Sequence, residues 1–464
     1  MPILYQSTRG KAPALDFRGV TLGGLAPDGG LYVPQSWPQF REAEITPLKH
    51  ASYVEIAHKV LLPFVTPDLS SDTLKKLIEK SYGAFTDPAV VPLKQLDERH
   101  WVLELFHGPT LAFKDVALQL LGHVFEYFLA QDGKRVTVIG ATSGDTGSAA
   151  IAALANRANI DVFILYPAKG PSDIQRKQMT CVEASNVHAL AIEGSFDDCQ
   201  AIVKALFNDA TLRVKYNFAA INSINWLRIL AQIVYYVMAA VRLGPRPVSF
   251  VVPTGNFGNV YAAYGAHKCG AQISKLGVAS NKNDILTRFF ATGRMKTSGV
   301  ALTLSPSMDI QVSSNFERLL FELCGSDAAQ LTKLMDELRA KGEFSVSPLQ
   351  LAAARQLFTA ASADDDLTLQ TIRDVYKESG YILDPHSAVG VACTRKLARE
   401  LPEPVVMCAT AHPAKFPETI HKAIGILPAL PEALAALMKK PERAVLLPSK
   451  TEAVAQFIAE SVRT

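Results

Sequence analysis

Four runs of four or five consecutive residues, mostly apolar and β-branched, punctuate this chain, and three of them end in loops built of small and polar residues. Val136-Thr137-Val138-Ile139-Gly140 leads into ATSGDTG and then an alanine-rich stretch over residues 148–154. Val248-Ser249-Phe250-Val251-Val252 leads into PTGNFGN, and Val405-Val406-Met407-Cys408 into ATAHPAKF. The fourth, Val162-Phe163-Ile164-Leu165-Tyr166, stops at Pro167. Strands that are apolar without alternation are buried on both faces, and strands that alternate with helices form parallel sheets. The pattern therefore predicts an α/β chain of open, doubly wound sheets with helices on both faces. In such sheets ligands bind beyond the carboxyl ends of the strands, so the three loops are expected to look into one cleft. One such loop alone fits a purely steric turn equally well; three at equivalent positions favour a shared site.

At 464 residues, two or three domains are expected, and 48% apolar with 20% charged residues is ordinary for a chain with a sizeable core. Lysine plus arginine exceeds aspartate plus glutamate by 47 − 44 = 3, which makes no electrostatic case for nucleic acid or an anionic membrane. The longest oily stretch, 13 residues over 229–241, is interrupted by Gln232, whereas a span needs about 20 apolar residues. A core helix is expected there. The opening MPILYQSTRGKAP lacks the basic and apolar regions of a signal peptide. The six cysteines never form C-x-x-C, which argues against a zinc ribbon or disulfide scaffold and for a reduced, cytoplasmic setting.

Turn signals divide the chain. Pro27-Asp28-Gly29-Gly30 and Trp37-Pro38 break the first ninety residues, Ser70-Ser71-Asp72 caps a helix expected to run to Lys80, and Asp87-Pro88 marks a boundary near residue 90. The expected parts are 1–90, 91–425 and 426–464. Residues 360–366, ASADDDL, read as an exposed acidic loop, and prolines 428, 431, 441 and 448 predict a tail of short surface helices.

Within PTGNFGN, Gly255 and Gly258 let backbone N–H groups point inward, and a following helix offers its positive end, which together make an anion cradle. Neither G-x-G-x-x-G nor G-x-x-x-x-G-K-[ST] is found at these strand ends, so a nucleotide site is not indicated. Read as a helix, FHGPTLAFKDVALQLLG (residues 106–122) puts Lys114 on one face with Ala117, Leu118 and Leu121, while Asp115 lies with Gln119 and Gly122. Burying an ammonium is costly. Either the stem snorkels to the surface, or the lysine is desolvated, with a lowered pKa suited to Schiff-base chemistry. A Schiff-base lysine, a phosphate cradle and a third polar group facing a ring nitrogen are the parts that pyridoxal phosphate needs. Thr410 is the candidate for the third, although taken alone it also reads as a strand-end threonine capping its own turn.

HGPTLAFKD, ATSGDTG, PTGNFGN and TAHPAKF, in this order, resemble the motifs of the threonine synthases, fold-type-II pyridoxal-phosphate enzymes related to the tryptophan synthase β subunit. YQSTRG (residues 5–10) and DGGLYVP (residues 28–34) resemble the amino-terminal domain of the longer bacterial and fungal branch. The resemblance implies two α/β sheets forming a catalytic region over 91–425, a small amino-terminal domain over 1–90 and a helical extension over 426–464. It implies that Lys114 carries pyridoxal 5'-phosphate as a Schiff base and later moves protons. Gly255, Asn256, Phe257, Gly258 and Asn259 would hold the coenzyme phosphate, and Thr410 would face its pyridine nitrogen. Ser143, Gly144, Asp145 and Thr146, with Gly147, would grip the substrate α-carboxylate through N–H and hydroxyl donors. No metal is implied.

The implied activity is that of a carbon–oxygen lyase acting on phosphates. It converts O-phospho-L-homoserine and water into L-threonine and phosphate, the last step of threonine biosynthesis, with this small-molecule substrate as partner and neither nucleic acid nor membrane. The substrate phosphate should need side-chain cations, for which Arg9, Lys169, Arg176 and Arg228 are candidates. A lyase or hydroxy-amino-acid dehydratase releasing a 2-oxo acid is the alternative on the same scaffold. A catalytically silent binding protein is the alternative from another class; loss of the lysine would mark it, and Lys114 is present.

Overall fold

The computed structural model describes residues 2–220 and 222–463. Its frame is a pair of sheets. The first runs in the order Phe358–Ser362, Ile273–Ser280, Val248–Pro253, Val405–Ala409, His100–Glu104, Leu93–Gln95, parallel throughout except at the antiparallel edge strand Leu93–Gln95. The second is wholly parallel, in the order Ala444–Pro448, Val187–Glu193, Ile160–Pro167, Val136–Ala141, Phe218–Ala220. All four apolar runs lie in these strands, and Ile160–Pro167 and Val248–Pro253 are buried at every position.

Burial on both faces follows from which neighbours successive residues meet. Phe250 and Val252 join one large hydrophobic cluster, while Val251 between them joins a second, with Val389 and Ile372 from the helices Pro385–Lys396 and Asp365–Ser379. In the other sheet Val138 and Ile164 face the large cluster, whereas Ile139, Phe163 and Leu165 face a third, closed by Phe196–Asn208 and Thr451–Ser461. An alternating strand could not satisfy two apolar surroundings at once, which is why the runs are continuous.

The amino-terminal domain shares its core with this frame. Residues from Tyr5 to Phe85 belong to the same cluster as the helices Lys114–Asp132 and Trp226–Leu243. The second of these is long and apolar enough to cross a membrane, yet 89% of it is buried inside the protein. Its Trp226 is fully buried against Tyr5 and Trp37, with ring centroids 5.7 and 5.8 Å away. Such contacts add about 0.5–1.5 kcal/mol each beyond the area they bury. YQSTRG is fastened by Glu317, which accepts from Thr8 Oγ1 at 2.6 Å and from both arms of Arg9 at 2.8 and 2.9 Å. The helix capped by Ser70 runs over Ser71–Tyr82, two residues past the expected end.

Three expectations need correction. Residues 360–366 are not a loop: Phe358–Ser362 is an edge strand, and Asp364 caps the helix that starts at Asp365. The run FTAAS is too short and small to stand out by periodicity. The tail is not only helical, because Ala444–Pro448 adds a parallel strand beside Val187–Glu193 before Pro448 ends it. Finally, the helix expected over 106–122 begins only at Lys114, after an irregular segment in which Leu111 takes a φ of 59° and Ala112 pairs with Ala411.

Candidate active site

The loops after Val136–Ala141, Val248–Pro253 and Val405–Ala409 meet at one cavity between the two sheets, as their positions at strand ends require. The first contributes Asp145 and Thr146, the second residues 253–259, and the third Thr410 and Ala411. Lys114 and Arg228 line the same cavity. Ser143 is exposed, and neither it nor Gly144 is among the lining residues.

Lys114 is placed by the turn before it. Thr110 donates to the Asp115 carboxylate through its N–H at 2.8 Å and its hydroxyl at 2.7 Å, closing the segment onto the first turn of the helix. Gly108 has to be glycine, because a Cβ there would stand 2.4 Å from the Asp115 Cβ. The Phe113 N–H donates to the Thr410 carbonyl at 2.8 Å, which ties the lysine to the strand-end threonine. The helix is buried on nearly all sides, Asp115 and Gln119 included, so its face alone does not single Lys114 out. Its Nζ lies 3.4 Å from Asp145 Oδ2 and 3.5 Å from Ser307 Oγ. Burial lowers the Lys114 pKa, against the pull of Asp145. This is the desolvated state, not the snorkelling one.

The Asp145 side chain has partners that its place in the loop does not announce. Its Oδ1 accepts from Lys415 at 2.8 Å and from Gln175 at 3.0 Å. Burial alone would push its carboxyl up, but Lys415 and Lys114 outweigh that and hold it well below the usual carboxylate range. An anion cannot grip a carboxylate with its side chain. What the loop offers is the uncapped start of the helix Asp145–Leu154. Thr142 Oγ1 takes the N–H groups of Gly144 and Gly147, which leaves those of Asp145 and Thr146 at the open end.

The cradle is made by an unusual backbone. Phe257 adopts φ 64° at the N-terminus of the helix Gly258–Lys268, which has no side-chain cap. The strain is held by its ring, buried edge-on against Phe316 with centroids 5.0 Å apart. Asn256 is exposed, and its carbonyl accepts from the Asn315 N–H and amide at 3.1 and 3.0 Å. Gly258 does not have a positive φ, and a Cβ there would meet Asn315 Nδ2 at 3.2 Å. Gly255 is the tight position, since its Cβ would stand 2.6 Å from the Ser307 carbonyl oxygen. Asn259 accepts at Oδ1 from the hydroxyls of Tyr235 and Tyr236, and its Nδ2, buried, has no partner among the described residues. Free N–H groups and an orphaned amide donor fit a phosphate.

Residues 87–411 match the family described as pyridoxal-phosphate dependent enzyme, residues 4–82 the threonine synthase N terminus and residues 387–458 the threonine synthase C-terminal region. The chain belongs to the threonine synthase family. It is 50% identical to threonine synthase of Pseudomonas aeruginosa, over 98% of both chains. The crystal structure of PLP-bound threonine synthase from Brucella melitensis superposes with a TM-score of 0.97 at 49% identity, covering 100% of both chains. Yeast threonine synthase gives 0.94 at 39% identity, over 99% of this chain and 98% of that one. The coenzyme of this family is pyridoxal phosphate, and the cradle, the buried lysine and the orphaned amide are suited to it. Gly255→Ala should therefore weaken coenzyme binding about tenfold or more, by forcing the cradle away from Ser307, while Gly258→Ala does far less. Fluorescence titration of the coenzyme into each variant checks the ranking.

Reading the sequence missed several groups that complete the site. Asp384 accepts from His386 Nδ1 at 2.9 Å and from the Ser387 hydroxyl, whose oxygen accepts the Thr410 N–H at 3.1 Å. His386 Nε2 in turn accepts the Ser307 N–H at 3.2 Å. One buried carboxylate thus positions both Thr410 and the Ser307 turn. Asp384-Pro385 is a helix-start signal, and a histidine directly after it was the available clue. Lys415 lay inside TAHPAKF without a role. Of the candidate cations, Arg228 alone lines the cavity. Arg9 serves Glu317, Arg176 serves Glu442 and Asp173, and Lys169 is exposed.

Proposed function

We propose that this chain converts O-phospho-L-homoserine and water into L-threonine and inorganic phosphate. The observation that carries the substrate is Arg228. Its side chain is buried in the cavity wall, burial pushes its pKa down to about 10, and its Nη1 has no partner among the described residues. A buried cation left without an anion is costly, so an anionic ligand is expected to complete it. The cradle at 255–259 provides for the coenzyme phosphate with backbone dipoles and needs no cation. Arg228 is then available to a second phosphate, which a substrate such as serine or threonine does not carry. This favours the synthase over a hydroxy-amino-acid dehydratase.

Pyridoxal phosphate, when bound through Lys114, supplies a sink for the electrons released as protons leave Cα and Cβ. The chain does the rest. Lys114, as a free amine, has a pKa lowered by burial, the direction that suits a proton carrier. Asp145 Oδ2 and Ser307 Oγ hold its Nζ in place. Thr410 would offer a hydroxyl to the ring nitrogen, and the Asp145 and Thr146 N–H groups would take the α-carboxylate. Arg228 binds the phosphate that departs from Cγ; water then adds at Cβ, and protons return to Cα and Cγ. The free, buried cysteines are in keeping with a reducing, cytoplasmic setting.

Incubation with O-phosphohomoserine in oxygen-18 water tests this directly. Threonine and phosphate should appear in equal amounts, with the label in the threonine hydroxyl and inorganic phosphate inhibiting competitively. A 2-oxo acid and ammonia in place of threonine would leave the lyase reading standing.

A further inference from the structure

We infer that Lys415 is a positioning residue for Lys114: through Asp145 it sets how readily Lys114 becomes the free amine that attacks an aldehyde. The inference rests on Lys114 being the coenzyme lysine. Lys415 ends the short turn Pro413–Lys415 after the strand Val405–Ala409, and its side chain is fully buried. Its Nζ donates to the Thr110 carbonyl at 2.9 Å and lies 2.8 Å from Asp145 Oδ1. Lys114 meets the other oxygen, Oδ2, at 3.4 Å. One carboxylate is thus shared by two lysine side chains, and the closer partner is the one with no access to the cavity.

The groups facing Lys114 make the consequence clear. Asp145 comes from the helix Asp145–Leu154, Arg228 from Trp226–Leu243, and Lys415 from the turn Pro413–Lys415. Ser307 and, beyond it, His386 Nε2, which accepts the Ser307 N–H, lie on the remaining side. The Asp115 carboxylate is turned away, engaged by Thr110. Among the described residues, cations around the amine therefore outnumber anions, and Lys415 claims the one carboxylate in reach, Asp145. An ammonium at Lys114 is disfavoured, while Asp145 remains an anion because Lys415 stays with it. The arrangement also survives turnover. When Lys114 is bonded to coenzyme, Asp145 still has a full cationic partner and does not need to take up a proton.

The test uses the full chain stripped of coenzyme with hydroxylamine. Pyridoxal phosphate is added over a series of pH values, reduced briefly with borohydride, and the labelled Lys114 peptide quantified by mass spectrometry. In Lys415→Met, Asp145 belongs wholly to Lys114, and the midpoint for labelling should rise by about one pH unit or more. In Asp145→Asn, which keeps an amide oxygen for Lys415, the midpoint should fall. Adding Lys415→Met to Asp145→Asn should raise it again, because a repelling cation is gone. A loss of packing alone would lower labelling at every pH without moving the midpoint. If Lys415→Met does not fold, Asp145→Asn against the double variant decides. A midpoint unchanged by Lys415→Met, or identical in Asp145→Asn and the double variant, overturns the inference. Coenzyme attached to some other lysine would instead take down the proposed function.

Discussion

Lys114→Ala is expected to take up pyridoxal phosphate without forming a bond that borohydride can reduce, and to lose turnover by at least about a thousandfold. The geometry explains why the fold should survive. Removing a buried ammonium usually strands its counter-charge, and a lone buried carboxylate is severely destabilising. Here Asp145 keeps Lys415 at 2.8 Å and Gln175 at 3.0 Å, so it is never left alone. The space vacated opens onto the existing cavity, not into packed core. The cradle, Asn259 and Thr410 are untouched, so the coenzyme should still bind, held by its phosphate and ring. Borohydride reduction followed by peptide mapping reads the result. A reducible bond persisting in the variant would place the attachment on another lysine.

What was legible in the sequence follows from where its constraints are local. The four strands could be read because burial on both faces leaves no polar position in a run such as residues 162–166. The convergence of three loops on one cavity was legible for the same reason, since a strand end fixes where its loop points. Phe358–Ser362 was not, because an edge strand of small residues has neither run length nor alternation. The helix face of Lys114 pointed to a desolvated lysine for an incomplete reason. The helix is buried nearly all round, and the desolvation comes from the turn 106–113 and from elements far away in the chain. Asp145 shows the limit most plainly. As a member of ATSGDTG it reads as a loop donor, yet its partners Gln175 and Lys415 lie 30 and 270 residues away, and only tertiary structure makes it a counter-ion.

Arg228→Met should raise the stability of the ligand-free protein while crippling it as a catalyst. The two effects share one cause. Arg228 is held in the cavity wall with a buried Nη1 that nothing among the described residues satisfies. Replacing an ill-compensated buried charge by an apolar side chain of similar length commonly gains about 1 kcal/mol or more. Active sites store cost of this kind because a ligand relieves it. In the complex, the same substitution removes the cation facing the substrate phosphate, which costs about 2–5 kcal/mol, or roughly thirtyfold to several thousandfold in kcat/KM. The loss should fall mainly on the KM for O-phosphohomoserine and on the inhibition constant of inorganic phosphate. Coenzyme affinity should change little, since the cradle at 255–259 binds its phosphate through backbone N–H groups. Thermal melts of the ligand-free protein, steady-state kinetics and coenzyme titration separate these outcomes. A loss of coenzyme affinity as large as the loss of substrate affinity would assign Arg228 to the coenzyme phosphate, and an unchanged KM would leave the second anion without its cation.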